Sequence, residues 1–147
     1  MLSSCPSSIG LTSVGRVILP SKLREDIGTN FIITKGLDNC LFIFSKIEWK
    51  KFEEKLKNLP LVNKNSRDFV RFFLSGATEY DLDKQGRFLL SNTLKEYAKL
   101  NKEIIIIGVG TRAEIWDKET WKQYKSNDNI SPETIAENMS ELGMLGI

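Results

Sequence analysis

Gly15-Arg16-Val17-Ile18-Leu19-Pro20-Ser21-Lys22-Leu23-Arg24-Glu25 recurs as Gly86-Arg87-Phe88-Leu89-Leu90-Ser91-Asn92-Thr93-Leu94-Lys95-Glu96, each pair of positions 71 residues apart. Further on, Ile43-Phe44-Ser45-Lys46 and Trp49-Lys50 correspond to Ile115-Trp116-Asp117-Lys118 and Trp121-Lys122, now 72 apart. Apolar, basic and turn positions match in order over about 45 residues. A repeat of this period means two copies of one supersecondary unit.

Each copy reads alike. A turn at the Gly-Arg leads into a short apolar strand, Val17 to Leu19 or Phe88 to Leu90. A short helix follows, for which Pro20 suits a first helical position and Ser91 an N-cap. Gly28 can close the first of these helices with positive φ. Two β-rich runs come next, Phe31 to Thr34 and Cys40 to Phe44, with counterparts at Glu103 to Ile107 and Ala113 to Trp116. Their connections hold Gly, Asp and Asn, the residues that tolerate positive φ. Ser45-Lys46-Ile47-Glu48 is a capping box, and Trp49, Phe52, Leu56 and Leu59 follow at helical spacing. Between the copies, 65–75 reads as a helix carrying Phe69, Phe72 and Phe73, which suit either a core or a subunit contact. A last helix starts at Ser131-Pro132-Glu133 and presents Ile135, Met139 and Leu142 on one face.

Strands of three to five residues cannot hold a sheet alone, so two such units must share one core. The expected class is α+β, a small β-barrel of two pseudo-symmetric halves with helices outside. The repeat divides the chain into 1–60 (with 1–14 atypical), a connecting helix at 61–78, a second copy at 79–125 and a C-terminal helix at 126–147.

The 147 residues carry 21 Lys and Arg against 19 Asp and Glu, a net charge of +2, with 41% hydrophobic residues and no histidine. The missing histidine removes histidine-based triads, general bases and zinc sites. Cys5 and Cys40 are too few for a four-thiolate metal site or a disulfide framework and suit a reducing, cytoplasmic compartment. Leu2-Ser3-Ser4-Cys5 looks like a lipoprotein box, but no basic or apolar stretch precedes it, so an unexported, soluble protein is expected. No nucleotide-binding glycine loop is present, and Gly108-Val109-Gly110 is too short for one. Neither a cofactor, a metal nor a small-molecule substrate is implied, and enzyme activity is not expected. Residues 1–75 hold 12 Lys and Arg against 7 Asp and Glu, a balance of +5, whereas 76–147 balance to −3. The basic first half is the better footprint for a polyanion. Lys46, Lys50, Lys51, Lys55 and Lys57 alternate with Glu48, Glu53 and Glu54 and read as solvated helix surface.

Asp83-Lys84-Gln85-Gly86-Arg87-Phe88-Leu89-Leu90 and Gly15-Arg16-Val17-Ile18-Leu19-Pro20 resemble the D-x-x-G-R-(apolar)-x-(apolar)-P signature of the AbrB superfamily. With two copies in tandem, plus Thr34-Lys35-Gly36-Leu37-Asp38-Asn39-Cys40-Leu41 and Arg71-Phe72-Phe73-Leu74-Ser75-Gly76-Ala77, the chain is similar to the MraZ family over about residues 15–124. That resemblance implies a swapped-hairpin β-barrel of AbrB type. It also implies a DNA-binding transcriptional regulator of the bacterial division and cell-wall gene cluster. Such a protein binds short promoter direct repeats of double-stranded DNA as a ring-shaped homo-oligomer in the cytoplasm, associated with the nucleoid.

By the same resemblance Arg16 and Arg87 face DNA, Lys84 contacts phosphate, and Gly15 and Gly86 shape the two turns. Arginine's planar fork suits guanine edges and phosphate alike. Asp83 can accept turn amides or pair with Arg87, and a purely structural salt bridge there is the competing reading. In the first copy Thr12-Ser13-Val14 stands where the family carries Asp and Lys, and residues 1–14 do not match its charged, aromatic first strand. True divergence, a shifted reading frame and a misassigned start upstream of codon 15 each account for this. Two other functions stay open: an antitoxin-type protein-interaction module using the C-terminal helix, and a regulator impaired in DNA binding by its N-terminus.

Overall fold

A computed structural model of the chain describes residues 7–10, 15–127 and 130–141. The chain falls into two units, Met1–Asp117 and Lys118–Ile147. The first runs β1 (Ser7–Gly10), β2 (Arg16–Ile18), α1 (Ser21–Ile27), β3 (Asn30–Lys35), β4 (Leu41–Ser45), α2 (Lys46–Lys57), α3 (Lys64–Gly76), β5 (Thr78–Asp81), β6 (Arg87–Leu89), α4 (Asn92–Tyr97), β7 (Glu103–Gly108) and β8 (Ala113–Asp117). The second holds α5 (Lys118–Lys125) and α6 (Pro132–Glu141).

The local signals act mostly where the sequence places them. Ser91 Oγ accepts the Leu94 N–H at 3.3 Å, and Ser45 Oγ accepts that of Glu48 at 3.2 Å, so both hydroxyls cap their helices. Pro20 lies one residue before α1, not inside its first turn. Gly28 ends α1 at φ 89°, and its counterpart in the second copy is Lys99 at φ 53°. The β3–β4 connection turns through Asp38 and Asn39, at φ 61° and 62°. Both are short polar residues for which positive φ costs little.

Six strands form an antiparallel sheet in the order β1-β7-β8-β4-β3-β5, and β2 pairs with β6 in a separate two-stranded ribbon. The copies exchange strands throughout. Copy one's β1 pairs with copy two's β7, while copy two's β5 pairs with copy one's β3. In the ribbon Val17 pairs with Phe88, and where the sheet halves meet Phe42 pairs with Glu114. Both pairs join repeat-equivalent positions, so a pseudo-two-fold axis passes between each.

The expected closed barrel does not form among the described residues. The edges β1 and β5 are not paired with each other, and the ribbon's three-residue strands pair only with one another. Strands that short, with the chain turning into a helix directly after each, leave no length to ladder with a second neighbour. A first strand does form among the described residues, where the sequence suggested none. β1 lies 71 residues before β5 and pairs with β7 through backbone hydrogen bonds, which any non-proline residue supplies.

Both copies build the core. Leu19 and Leu90, Leu23 and Leu94, Phe31 and Ile104, Ile33 and Ile106, and Ile43 and Ile115 are repeat-related pairs within one buried cluster, with Val17 and Phe88 beneath the ribbon. On the other face of β3 and β4, Phe42 stacks on Phe73 and Phe44 on Phe52, and Thr34 Oγ1 donates to the Phe73 carbonyl at 2.7 Å. The three phenylalanines of α3 therefore divide. Phe73 is core, Phe72 packs edge-on to Tyr97, and Phe69 stays exposed.

Candidate nucleic-acid interface

The two Gly-Arg turns sit at opposite ends of the β2–β6 ribbon. In the second copy, Asp83 organises the turn through both carboxylate oxygens. Oδ1 accepts the N–H groups of Gln85 and Arg87, each at 2.9 Å, and Oδ2 accepts Arg87 Nε at 3.1 Å. The Asp83 carbonyl takes the Gly86 N–H at 3.0 Å, and the Asp83 N–H donates to the Arg87 carbonyl at 2.9 Å. The Arg87 backbone amide, followed by that of Gln85 and the guanidinium, holds the Asp83 carboxyl below its ordinary range. The ion pair of the structural reading of Arg87 therefore exists and occupies Nε, with the side chain half-buried. Lys84, at the turn's tip, is exposed.

In the first copy Gly15 takes φ 82°, matching φ 76° at Gly86, and Arg16 is exposed. The positions that lack the family's Asp and Lys, 12 and 14, lie outside the described residues. The turns are tied across the copies, since Leu19 N–H donates to the Gly86 carbonyl at 2.9 Å and Leu90 N–H to the Gly15 carbonyl at 3.0 Å.

Two further basic residues belong here, although the sequence showed them only as one more matched pair of the repeat. A Cβ on Gly86 would collide with the guanidinium of Arg24, and a Cβ on Gly15 with the end of the Lys95 side chain. Arg24 and Lys95 are repeat equivalents, and each reaches the turn of the other copy. Arg24 is fixed by donating from Nε to the Leu19 carbonyl at 2.7 Å. Both glycines therefore serve twice, for positive φ and for the room a cation occupies. The 71-residue spacing flags a conserved charge type at 24 and 95, but which turn each covers depends on the strand exchange. The exchange also mixes the two halves' charges, so the basic first half is not a separate surface.

Between the turns, Val17 and Phe88 point into the core while Arg16, Ile18, Arg87 and Leu89 face outward. The register pairs Arg16 with Leu89 and Ile18 with Arg87, placing the arginines on one diagonal and the aliphatics on the other. The α2 lysines behave as solvated surface, with Lys51 on Glu48 and Lys57 on Glu54. Trp49 and Trp116 are buried, whereas Trp121 is half-exposed and stacks on Tyr124 within α5. Asp81 is a structural acceptor, taking Asn30 Nδ2 at 2.6 Å. Among the described residues no helix is long and apolar enough to cross a membrane.

Comparison with known proteins gives the same answer for both copies. The family described as "MraZ protein, putative antitoxin-like" matches residues 8–72 and again 73–142. The transcriptional regulator MraZ of Clostridium tetani is 57% identical over 135 residues, 92% of this chain and 94% of that protein. Its namesake from Clostridium acetobutylicum is 58% identical over 134 residues, 91% and 94% of the two chains. The one from Thermoanaerobacter sp. (strain X514) is 55% identical over 130, 88% and 91%. Two family matches in tandem, on the two copies that exchange strands about one axis, show that the chain belongs to the MraZ family of transcriptional regulators.

Proposed function

We propose that the protein is a sequence-specific DNA-binding regulator without enzymatic activity that reads double-stranded DNA with the β2–β6 ribbon and its two turns. The observation that carries this reading is the pair of Gly-Arg turns at the ends of one ribbon, each overlaid by a cation from the other copy. Arg16 and Arg87 are the base-reading residues, Lys84 a phosphate contact, Gly15 and Gly86 the turn formers, and Asp83 the residue that aims Arg87. One ribbon offers few phosphate contacts, so affinity depends on repeating it around an oligomer. A ring fits, and ring closure needs two different patches per subunit. Supporting this, a groove of about 380 Å³ between α2 and α3 is lined by Leu56, Leu59, Pro60, Leu61, Val70 and Leu74. Leu61 there is 80% exposed. By the family resemblance, the target is short direct repeats in the promoter of the division and cell-wall cluster, bound in the cytoplasm at the nucleoid.

The test is a gel shift with duplex from that promoter. Arg16→Ala and Arg87→Ala should each weaken the specific complex by about 1–3 kcal/mol with unchanged size-exclusion behaviour. Wild-type affinity should fall steeply with salt. Full specific binding by both variants, or a flat salt response, would overturn the assignment. A second reading, an antitoxin-type protein-interaction module, draws on the family's description and on Ile135 of α6, which is 49% exposed. Absence of any specific shift by the wild-type protein would favour it.

A further inference from the structure

The outward face of the ribbon carries more than arginine. Ile18 is 49% exposed and Leu89 55% exposed, and they occupy repeat-equivalent positions. A strand with one face on the core normally turns polar residues to the other, and Arg16 and Arg87 obey that alternation. Ile18 and Leu89 break it twice, at the same place in both copies. They share a diagonal between the two arginines, so any surface the arginines engage also meets the aliphatic side chains.

We propose that Ile18 and Leu89 are specificity-determining residues that pack against thymine 5-methyl groups in the major groove while Arg16 and Arg87 address guanine edges. This rests on the DNA-binding reading above. A two-stranded ribbon fits the major groove, where the thymine methyl is the one apolar feature and guanine presents two acceptors to arginine. Charge decides the occupant. Arg16 and Arg87 stand on the face itself, Lys84 is exposed at one turn, and Arg24 and Lys95 lie over the two glycines. A second copy docking ribbon to ribbon would set Arg16 and Arg87 against their own kind, whereas a phosphate-lined groove complements all of them. At about 3.4 Å per residue, three-residue strands span roughly two base-pair steps. The methyl groups read should therefore lie within about two steps of the guanines.

The wild-type protein is first used to select binding duplexes from a randomised pool. Each thymine of the selected site is then replaced by deoxyuridine, which removes only the methyl group. Wild-type affinity should fall about fourfold at one or two positions beside the guanines. Ile18→Ala and Leu89→Ala should lose a similar factor on the unmodified duplex and become indifferent to deoxyuridine at one position each, with unchanged oligomer size. Uniform tolerance of deoxyuridine by the wild-type protein overturns the proposal without needing any variant. So does a variant that keeps full affinity and thymine preference, or one that changes oligomer size, which would make the pair a subunit contact. If the pool yields no enriched sequence, the DNA-binding reading fails and takes the proposal with it; an enriched site without methyl dependence overturns the proposal alone.

Discussion

The Asp83 carboxylate accepts three hydrogen bonds from residues within four positions of itself, two from backbone amides and one from a guanidinium. All three require the carboxylate, so its lowered pKa makes the turn sensitive to acid. The sign follows from linkage. A carboxyl whose folded pKa lies below its ordinary 3.8 contributes fully above that value, and the contribution is lost as pH falls through the lowered one. A carboxyl-carbon NMR titration of Asp83 should therefore give a midpoint below 3.8, with the Gly86 and Arg87 amide shifts moving in step. A midpoint at or above 3.8 would contradict the arrangement. The sequence supplied Asp83 and Arg87 as partners, because acid, glycine and arginine at this spacing make few other local structures. It could not supply Arg24, whose guanidinium lies over a glycine 62 positions away only because strands are exchanged.

Asp83 orders the second turn through its carboxylate. On the proposed function, Asp83→Ala should weaken specific DNA binding by up to about fivefold, the worth of one exposed charge pair. Unchanged affinity in a titration against the same promoter duplex would count against that role. Much of the secondary structure was legible through the repeat itself. Strands and helices recur at a spacing of 71, and the shift to 72 marks changed connections. The structure resolves that shift into two steps. Two extra residues after α4 move β7 to 73 positions from β3, and a shorter β7–β8 connection brings β8 back to 72 from β4. β1 was not legible, because Ser7-Ser8-Ile9-Gly10 carries neither alternation nor β-branched density and is held by the Ile-rich β7. Barrel closure was likewise beyond a reading of strand number alone, since closure depends on strand length and edge pairing.

The unit Met1–Asp117 has one core to which both copies contribute equivalent residues. Neither copy can unfold without uncovering the other's half of that cluster. Ile33 and Ile106 are both fully buried repeat equivalents, so Ile33→Ala and Ile106→Ala should each cost about 2–5 kcal/mol. Each should also keep a single transition, coincident by tryptophan fluorescence and far-UV circular dichroism. Two separated transitions would show that the copies fold as independent domains.

The pseudo-two-fold axis through the ribbon has one more consequence. A ribbon built from two identical chains would look the same after half a turn and could not distinguish the two senses of a duplex. Here the axis relates arginine to lysine at 24 and 95 and isoleucine to leucine at 18 and 89. Its outline is nearly symmetric but its chemistry is not, which gives the ribbon a heading. On the proposed function, a ribbon with a heading is suited to sites that all point the same way, and poorly suited to palindromes.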